Sequence, residues 1–448
     1  MSVLDSSIFG PLFGDEVINA LFSDQAYIRA LVDVEIALAR AEVGVGVIPT
    51  SAAEQIARAQ AEEIDITALT QGTLRSGFPI IALVQELRKQ VDADAAPYLH
   101  WGATTQDIMD TACVLQLRSA IALMRGHLNA IVKGLSSLAE RHRATVLAGR
   151  THSQQALPVT FGLKAAGWLA PLLRHVERLA QMEPRLLVVQ FGGAAGTLAA
   201  LGDKGLAVTQ TLADDLKLAV PPMPWHTQRD GLVEFAGWLS LVTGTLGKMA
   251  QDIILMAQSE VGEVGESAQQ GRGGSSTMPQ KSNPITSELI LAAARTNAGL
   301  LAALHNAQIQ EQERGTHGWQ VEWLTLPQMV MLTGGALKNA VYLAENLQVD
   351  ADAMSANIVN ANGVILAEAA VFALTKALPR ARAEELVKSA CAVAGKENLP
   401  LVEVVRRLVG DSIPAGAVDW LALASAKNYL GETANFIDAV LQEAKRLT

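Results

Sequence analysis

Two apolar runs with helical spacing govern what this chain can become. Val114, Leu117, Ile121, Met124, Leu128, Ile131, Leu135 and Leu138 recur every three or four residues without a break, and Leu232, Phe235, Leu239, Val242, Leu246, Met249, Ile253 and Met256 do the same. That spacing marks long helices with a continuous seam against their neighbours. A helix of about 35 residues is roughly 50 Å long, too long for an ordinary globular layer, and a bundle is the economical way to cover its seam. Composition agrees. Half of the 448 residues are apolar but only 4% are aromatic, and alanine and leucine abound, which favours helix over a β-sandwich. The expected class is all-α.

Residues 160–182 and 285–310 also read as helices, as does 320–346, where Pro327 is a kink or a first-turn residue. A three-part chain follows. Residues 1–99 form short helices separated by turn signals at Ile48-Pro49-Thr50 and Ser76-Gly77-Phe78-Pro79. Residues 100–347 form the long-helix bundle. Residues 348–448 form shorter helices broken at Asn362-Gly363, Leu399-Pro400 and Ile413-Pro414. The formal charge of −10 argues against a nucleic-acid surface and requires a locally positive pocket for any anionic substrate. The first residues have neither a basic nor an apolar signal region. The longest uncharged run, Leu186–Gly202, carries four glycines and a glutamine and makes a poor membrane span. A cytoplasmic protein without membrane contact is expected. Cys113 and Cys391 lie far apart in apolar helical contexts and read as structural thiols.

The chemistry concentrates in residues 271–284, Gly-Arg-Gly-Gly-Ser-Ser-Thr-Met-Pro-Gln-Lys-Ser-Asn-Pro. Such a loop can gather a hydroxyl, an ammonium, an amide and free backbone N–H groups around one small anion. A flexible Gly/Ser linker is the plain alternative, but Pro279 and Pro284 stiffen the segment. A phosphate-binding P-loop needs glycine directly before the lysine and a strand before the loop. Here Gln280 precedes Lys281, after a helical pattern.

Gly274-Ser-Ser-Thr-Met-Pro-Gln-Lys-Ser-Asn-Pro284 resembles the signature loop of the fumarase/aspartase superfamily, and the resemblance extends over essentially the whole chain. It implies an all-α protein in three domains with a central five-helix bundle, built as a homotetramer whose active sites are shared between subunits. It also implies elimination β to a carboxylate, or the reverse addition. Carried over residue by residue, Ser275 is the general base or acid, flanked by Ser276, while Lys281 and Asn283 hold the carboxylate whose charge grows. A weak carbon acid of this kind needs preorganised donors and a cation for its doubly negative aci-carboxylate.

Two further segments match. Gly149-Arg150-Thr151-His152-Ser153-Gln154-Gln155-Ala156-Leu157-Pro158 resembles the stretch in which a histidine assists the leaving group or orients a water. By that resemblance His152 is catalytic, with Thr151 and Gln154 in contact with substrate. Taken alone, a histidine in a polar loop is an ordinary surface residue. In His100-Trp101-Gly102-Ala103-Thr104-Thr105-Gln106-Asp107, Thr104 or Thr105 can cap the long helix, and Asp107 suits its dipole. Donors at that helix start also make an anion site, and the resemblance assigns Thr104, Thr105 and Gln106 to a substrate carboxylate.

Within the superfamily, Pro224-Trp225-His226-Thr227-Gln228-Arg229-Asp230, Gln310-Glu311-Gln312-Glu313-Arg314 and Gln190-Phe191-Gly192-Gly193-Ala194 are most similar to the 3-carboxy-cis,cis-muconate cycloisomerases. Gln228, Arg229 and Arg314 then become contacts for a small polycarboxylate, where a guanidinium fork outperforms lysine. Either arginine alone can equally be an ordinary ion pair. Gln280 and Ser282 stand where cycloisomerases usually carry His and Arg, His152 stands where some carry Trp, and Gln280-Lys281 is closer to argininosuccinate lyase. A fumarate-releasing C–N lyase is therefore the alternative within the superfamily, and a catalytically silent, crystallin-like protein the alternative outside enzymology. No metal-ligand spacing and no dinucleotide fingerprint occurs in the sequence, so a mechanism without metal or cofactor is expected.

Overall fold

The computed structural model describes residues 3–266, 273, 274, 277, 278 and 281–447. Among them the architecture is helical. The first long helix, α1, spans Asp24–Gly44, and its start is fixed by Ser23, whose hydroxyl accepts from the Ala26 amide. Five more follow: α2 (Thr105–Arg141), α3 (Phe161–Leu186), α4 (Asp230–Met256), α5 (Ile285–Ala307) and α6 (Gly318–Asn346). All sixteen residues of the two predicted seams, on α2 and α4, are buried. Each large apolar side chain so covered contributes about 1.5–3 kcal/mol. Pro327 lies inside α6 rather than in its first turn.

Contacts group the chain into two units. One comprises Met1–His127, His175–Gly244 and Ala292–Lys338, the other Leu128–Arg174, Thr245–Leu291 and Asn339–Thr448. Both draw segments from each of α2 to α6. In the first unit buried polar groups join the helices. The Asn297 amide of α5 donates to the Thr333 hydroxyl of α6 at 2.9 Å, and the Trp238 indole of α4 donates to the His175 carbonyl of α3 at 3.0 Å. A buried polar group left without such a partner costs about 1–3 kcal/mol, so these bonds fix which helix faces which.

The second unit holds a hairpin where a polar loop was expected. Strands β1 (Val146–Thr151) and β2 (Gln154–Thr160) pair antiparallel, with an irregularity between Ala148 and Arg150. The sequence hides it because the connection is His152-Ser153 rather than a glycine-containing turn. The C-terminal helices build an apolar core of their own from Leu374, Val387, Leu401, Val404 and Val405. Among the described residues no single helix is long and apolar enough to cross a membrane.

Candidate active site

The N-terminus of α2 is organised by a carboxylate. Asp107 is buried and accepts from the Thr104 amide at 3.0 Å, from the Gln190 side chain at 3.1 Å, from the Gly192 and Gly193 amides at 3.0 and 2.8 Å, and from His226 Nε2 at 2.7 Å. The reach back to Thr104 is the acidic half of a capping box. This corrects the expectation that Thr104 or Thr105 caps the helix through its hydroxyl. Both hydroxyls lack hydrogen bonds among the described residues, and both residues are half-buried, so their donors remain available to a ligand. Gln106 is buried, and its amide donates to the His226 carbonyl at 2.9 Å and to Asp110 at 3.1 Å.

One turn further along α2, Asp110 receives Arg229. The guanidinium donates to both Asp110 oxygens at 2.6 and 3.0 Å and to both Glu322 oxygens at 2.8 and 2.5 Å, with a fifth contact to the Trp225 carbonyl at 3.5 Å. It lies over the Trp225 ring, and the Trp319 indole completes Asp110 at 3.0 Å. Burial alone would lower the Arg229 pKa; Asp110 and Glu322 outweigh it and hold the group charged. Burial pushes the Glu322 carboxyl above its ordinary value, and Arg229 opposes the shift. Arg229, expected as a fixed cation for substrate, is thus an internal ion pair with every donor engaged. Gln228 beside it is exposed.

Arg314 differs in every respect. It is half-buried, and its partners are neutral: Gln106 Oε1 at 3.4 Å and the carbonyls of Gly193 and Ala194 at 3.3 and 2.9 Å. Among the described residues no carboxylate pairs with it. Gln106 and Arg314, predicted separately from positions far apart in sequence, therefore meet, and an uncompensated charge stands beside the first turn of α2.

In the second unit Thr151 and Gln154 pair across the end of the β1–β2 hairpin, and His152 and Ser153 form the two-residue turn. All four are exposed. His152 and Ser153 adopt φ of 48° and 62°, the left-handed region that non-glycine residues avoid. Each such residue costs on the order of 1–3 kcal/mol and persists only where neighbours enforce it. Two positions before the turn, the strand is anchored by an ion pair. Arg150 forks onto Glu263 at 2.8 and 2.7 Å, Glu263 is buried, and Asn357 donates to the same carboxylate at 2.9 Å.

The signature loop enters α5 through Glu266, whose carboxylate accepts from the Thr286 and Ser287 amides at 2.9 and 2.8 Å and from the Ser287 hydroxyl at 2.7 Å. Gly273 takes φ 71°, and a Cβ there would lie 2.4 Å from the Asn283 carbonyl oxygen. The Asn283 amide donates to the Gly273 carbonyl at 2.9 Å, and Gly274 bridges to Ser282. Residues on both sides of the motif are thereby brought together, with Lys281 exposed and Asn283 half-buried. Ser275, Ser276 and Gln280 lie outside the described residues.

A mostly apolar cavity of about 480 Å³ lies in the first unit, lined by Tyr27, Leu69, Cys113, Leu232, Trp319 and Trp323 among others. Its one arginine is the fully paired Arg229, so it offers a polycarboxylate no free cation. Burial pushes the Cys113 thiol up to about 12, which disfavours the nucleophilic thiolate. The residues that sequence reasoning left without a role are Asp110, Gln190, Gly193, Ala194, His226 and Glu322. The segments of Gln190, Gly193, Ala194 and His226 were singled out, but the partners of all six lie some hundred positions away.

The whole chain can be compared with known proteins at this point. The lyase family model matches residues 15–299. The 3-carboxy-cis,cis-muconate cycloisomerase of Pseudomonas aeruginosa is 45% identical over 98% of this chain and 96% of that protein. Trans-aconitate decarboxylase 1 of Mycosarcoma maydis is 40% identical over 96% of this chain and 87% of that one. The crystal structure of 3-carboxy-cis,cis-muconate lactonizing enzyme from Pseudomonas putida superposes with a TM-score of 0.93 at 42% identity, covering 99% of this chain and 100% of that one. With a family model matched across more than half its length and relatives at 40–45% identity over nearly all of it, this chain belongs to the lyase family, as an enzyme of the fumarase/aspartase superfamily.

Proposed function

We propose that the protein is a cycloisomerase that closes 3-carboxy-cis,cis-muconate to a carboxymuconolactone. One substrate carboxylate oxygen adds to the β-carbon of a double bond, and the displaced electron pair moves into the neighbouring carboxylate as an aci-carboxylate. A proton then reaches the α-carbon from Ser275. Lys281 and Asn283 meet the growing charge, which a preorganised cation and amide stabilise without reorganisation. His152 serves the attacking carboxylate, with Thr151, Gln154 and Ser276 as further contacts. Thr104 and Thr105 supply hydroxyl donors at the start of α2, where the helix dipole also favours an anion. Gln106 acts mainly by orienting Arg314. No metal or cofactor takes part.

The observation that carries this reading is Arg314. A cation held only by neutral acceptors favours a substrate with one carboxylate more than the elimination chemistry itself requires. The similarity to named cycloisomerases supports it. The working particle is a cytoplasmic homotetramer with sites completed between subunits, a reading supported by the exposed, strained tip that carries His152. A second reading, a fumarate-releasing lyase, is favoured by Gln280-Lys281 and by a fumarate lyase structure from Mesorhizobium that is 41% identical.

Incubation with 3-carboxymuconate, muconate, adenylosuccinate, argininosuccinate and aspartate, followed by ultraviolet absorbance, separates the two. Lactone formation with kcat/KM highest on the tricarboxylate is expected. Faster release of fumarate from an amino-linked succinate would replace the first reading by the second.

A further inference from the structure

Asp107 has more partners than a helix-capping carboxylate needs. Of its five donors only the Thr104 amide belongs to the helix start; the others are the Gln190 side chain, the Gly192 and Gly193 amides and His226 Nε2. The two glycine amides fix one side of a tight turn. In it Gly193 adopts φ 69°, close enough to Gly102 that a Cβ would lie 3.0 Å from its carbonyl oxygen. From the other side of that turn the Gly193 and Ala194 carbonyls accept from Arg314. The pose of the guanidinium therefore depends on a carboxylate that it does not touch.

We infer that Asp107 is a positioning residue: by clamping the Gly192–Ala194 turn it aims Arg314, and so sets the preference for a substrate with a third carboxylate. This rests on the reading of Arg314 as the receptor of that carboxylate. An amide cannot replace the clamp. Asparagine has one oxygen where Asp107 uses two, and its NH2 would face donors, so a glycine amide loses its partner and the turn rotates. The carbonyls then leave Arg314 while its charge remains.

The test uses the full-length protein and its Asp107→Asn, Gly193→Ala, Arg314→Gln and Asp107→Asn/Arg314→Gln variants. For each, kcat/KM is measured on 3-carboxymuconate and on muconate, beside thermal denaturation. Asp107→Asn should cut the ratio of the two values by about tenfold, as expected for loss of one charged hydrogen bond. Activity on muconate should change far less, and the double variant should show no smaller ratio than Arg314→Gln alone. Gly193→Ala disturbs the same turn without touching the carboxylate and should narrow the ratio in the same direction, which decides the matter if Asp107→Asn does not fold. Equal loss on both substrates in Asp107→Asn or in Gly193→Ala would reduce Asp107 to a structural role and overturn the inference. So would independent multiplication of the two effects in the double variant. If Arg314→Gln itself leaves the ratio unchanged, the carboxylate reading falls and takes this one with it; if only Asp107→Asn does, the positioning role alone is lost.

Discussion

Arg229 and Arg314 are both drawn to the first turns of α2, and they illustrate opposite treatments of a positive charge. Around Arg229 two carboxylates, a tryptophan face and complete burial leave nothing for a ligand. Around Arg314 three neutral oxygens fix direction without neutralising anything. Taking a guanidinium out of water is costly unless it is paired, so the first arrangement is a fold element. The second remains half-exposed and receptive. An arginine is therefore informative about function through its acceptors, because presence in a motif does not separate the two cases.

The strongest attempt to break this contrast is Arg229→Met. It would leave Asp110 and Glu322 buried without their counter-charge, at a cost of about 3–5 kcal/mol in chemical denaturation. A variant of normal stability that had merely lost activity would return Arg229 to the substrate site.

Glu42 extends the contrast to a buried acid with no hydrogen-bond partner among the described residues. Both its oxygens are buried without a hydrogen bond, and burial, reinforced by Glu35, pushes its pKa from 4.5 to about 9. The folded protein thus holds a proton that the unfolded chain releases above pH 4.5. Stability attributable to this group falls as pH rises from about 4.5 to about 9, by up to ~1.4 kcal/mol per unit. Glu42→Gln removes the titration. Its stability relative to the parent should therefore improve from pH 5 to pH 8, by at least ~2 kcal/mol. A difference independent of pH would mean that Glu42 finds a partner.

Arg314→Gln should behave as the inverse of Arg229→Met. Thermal stability should stay within about 0.5 kcal/mol of the parent, as for a surface change. The barrier on the tricarboxylate should rise by about 1.5–3 kcal/mol, read as kcat/KM. Loss of stability without loss of preference would erase the distinction between the two arginines.

The smallest effect is expected at the hairpin tip. Ser153→Gly relieves a left-handed residue but loosens the unfolded chain, for a net gain of less than about 1 kcal/mol. A destabilised variant would show that the Ser153 side chain holds the turn.

Much of the fold was legible because it is local. Helical periodicity is a property of neighbours in sequence, and Val114 to Leu138 and Leu232 to Met256 are buried as their spacing predicted. The hairpin was not legible. A two-residue turn made of His152 and Ser153 at φ of 48° and 62° lacks the Asn-Gly or Asp-Gly signal that marks such turns, and the ion pair of Arg150 with Glu263 beside it joins residues 113 positions apart. Site residues divide in the same way. At Thr104, Thr105 and Gln106 the helix start was legible, because capping signals are local. Arg229 was misread because Asp110 and Glu322, 119 and 93 positions away, decide its state. Asp107 was seen as a partner for the helix dipole, whereas four of its five donors come from distant segments.

The carbonyls that hold Arg314 belong to the main chain, and every amino acid carries one. Side-chain replacement at Ala194 therefore leaves the acceptor itself in place, while Gly193, with its φ of 69°, and Gly192, where a Cβ would lie 2.7 Å from Pro224, restrict what can follow. A receptor built from peptide oxygens is tolerant of sequence drift. Changes of substrate are then expected to arise from residues that touch the ligand or that hold the turn in place, as Asp107 does, rather than from the side chain at Ala194.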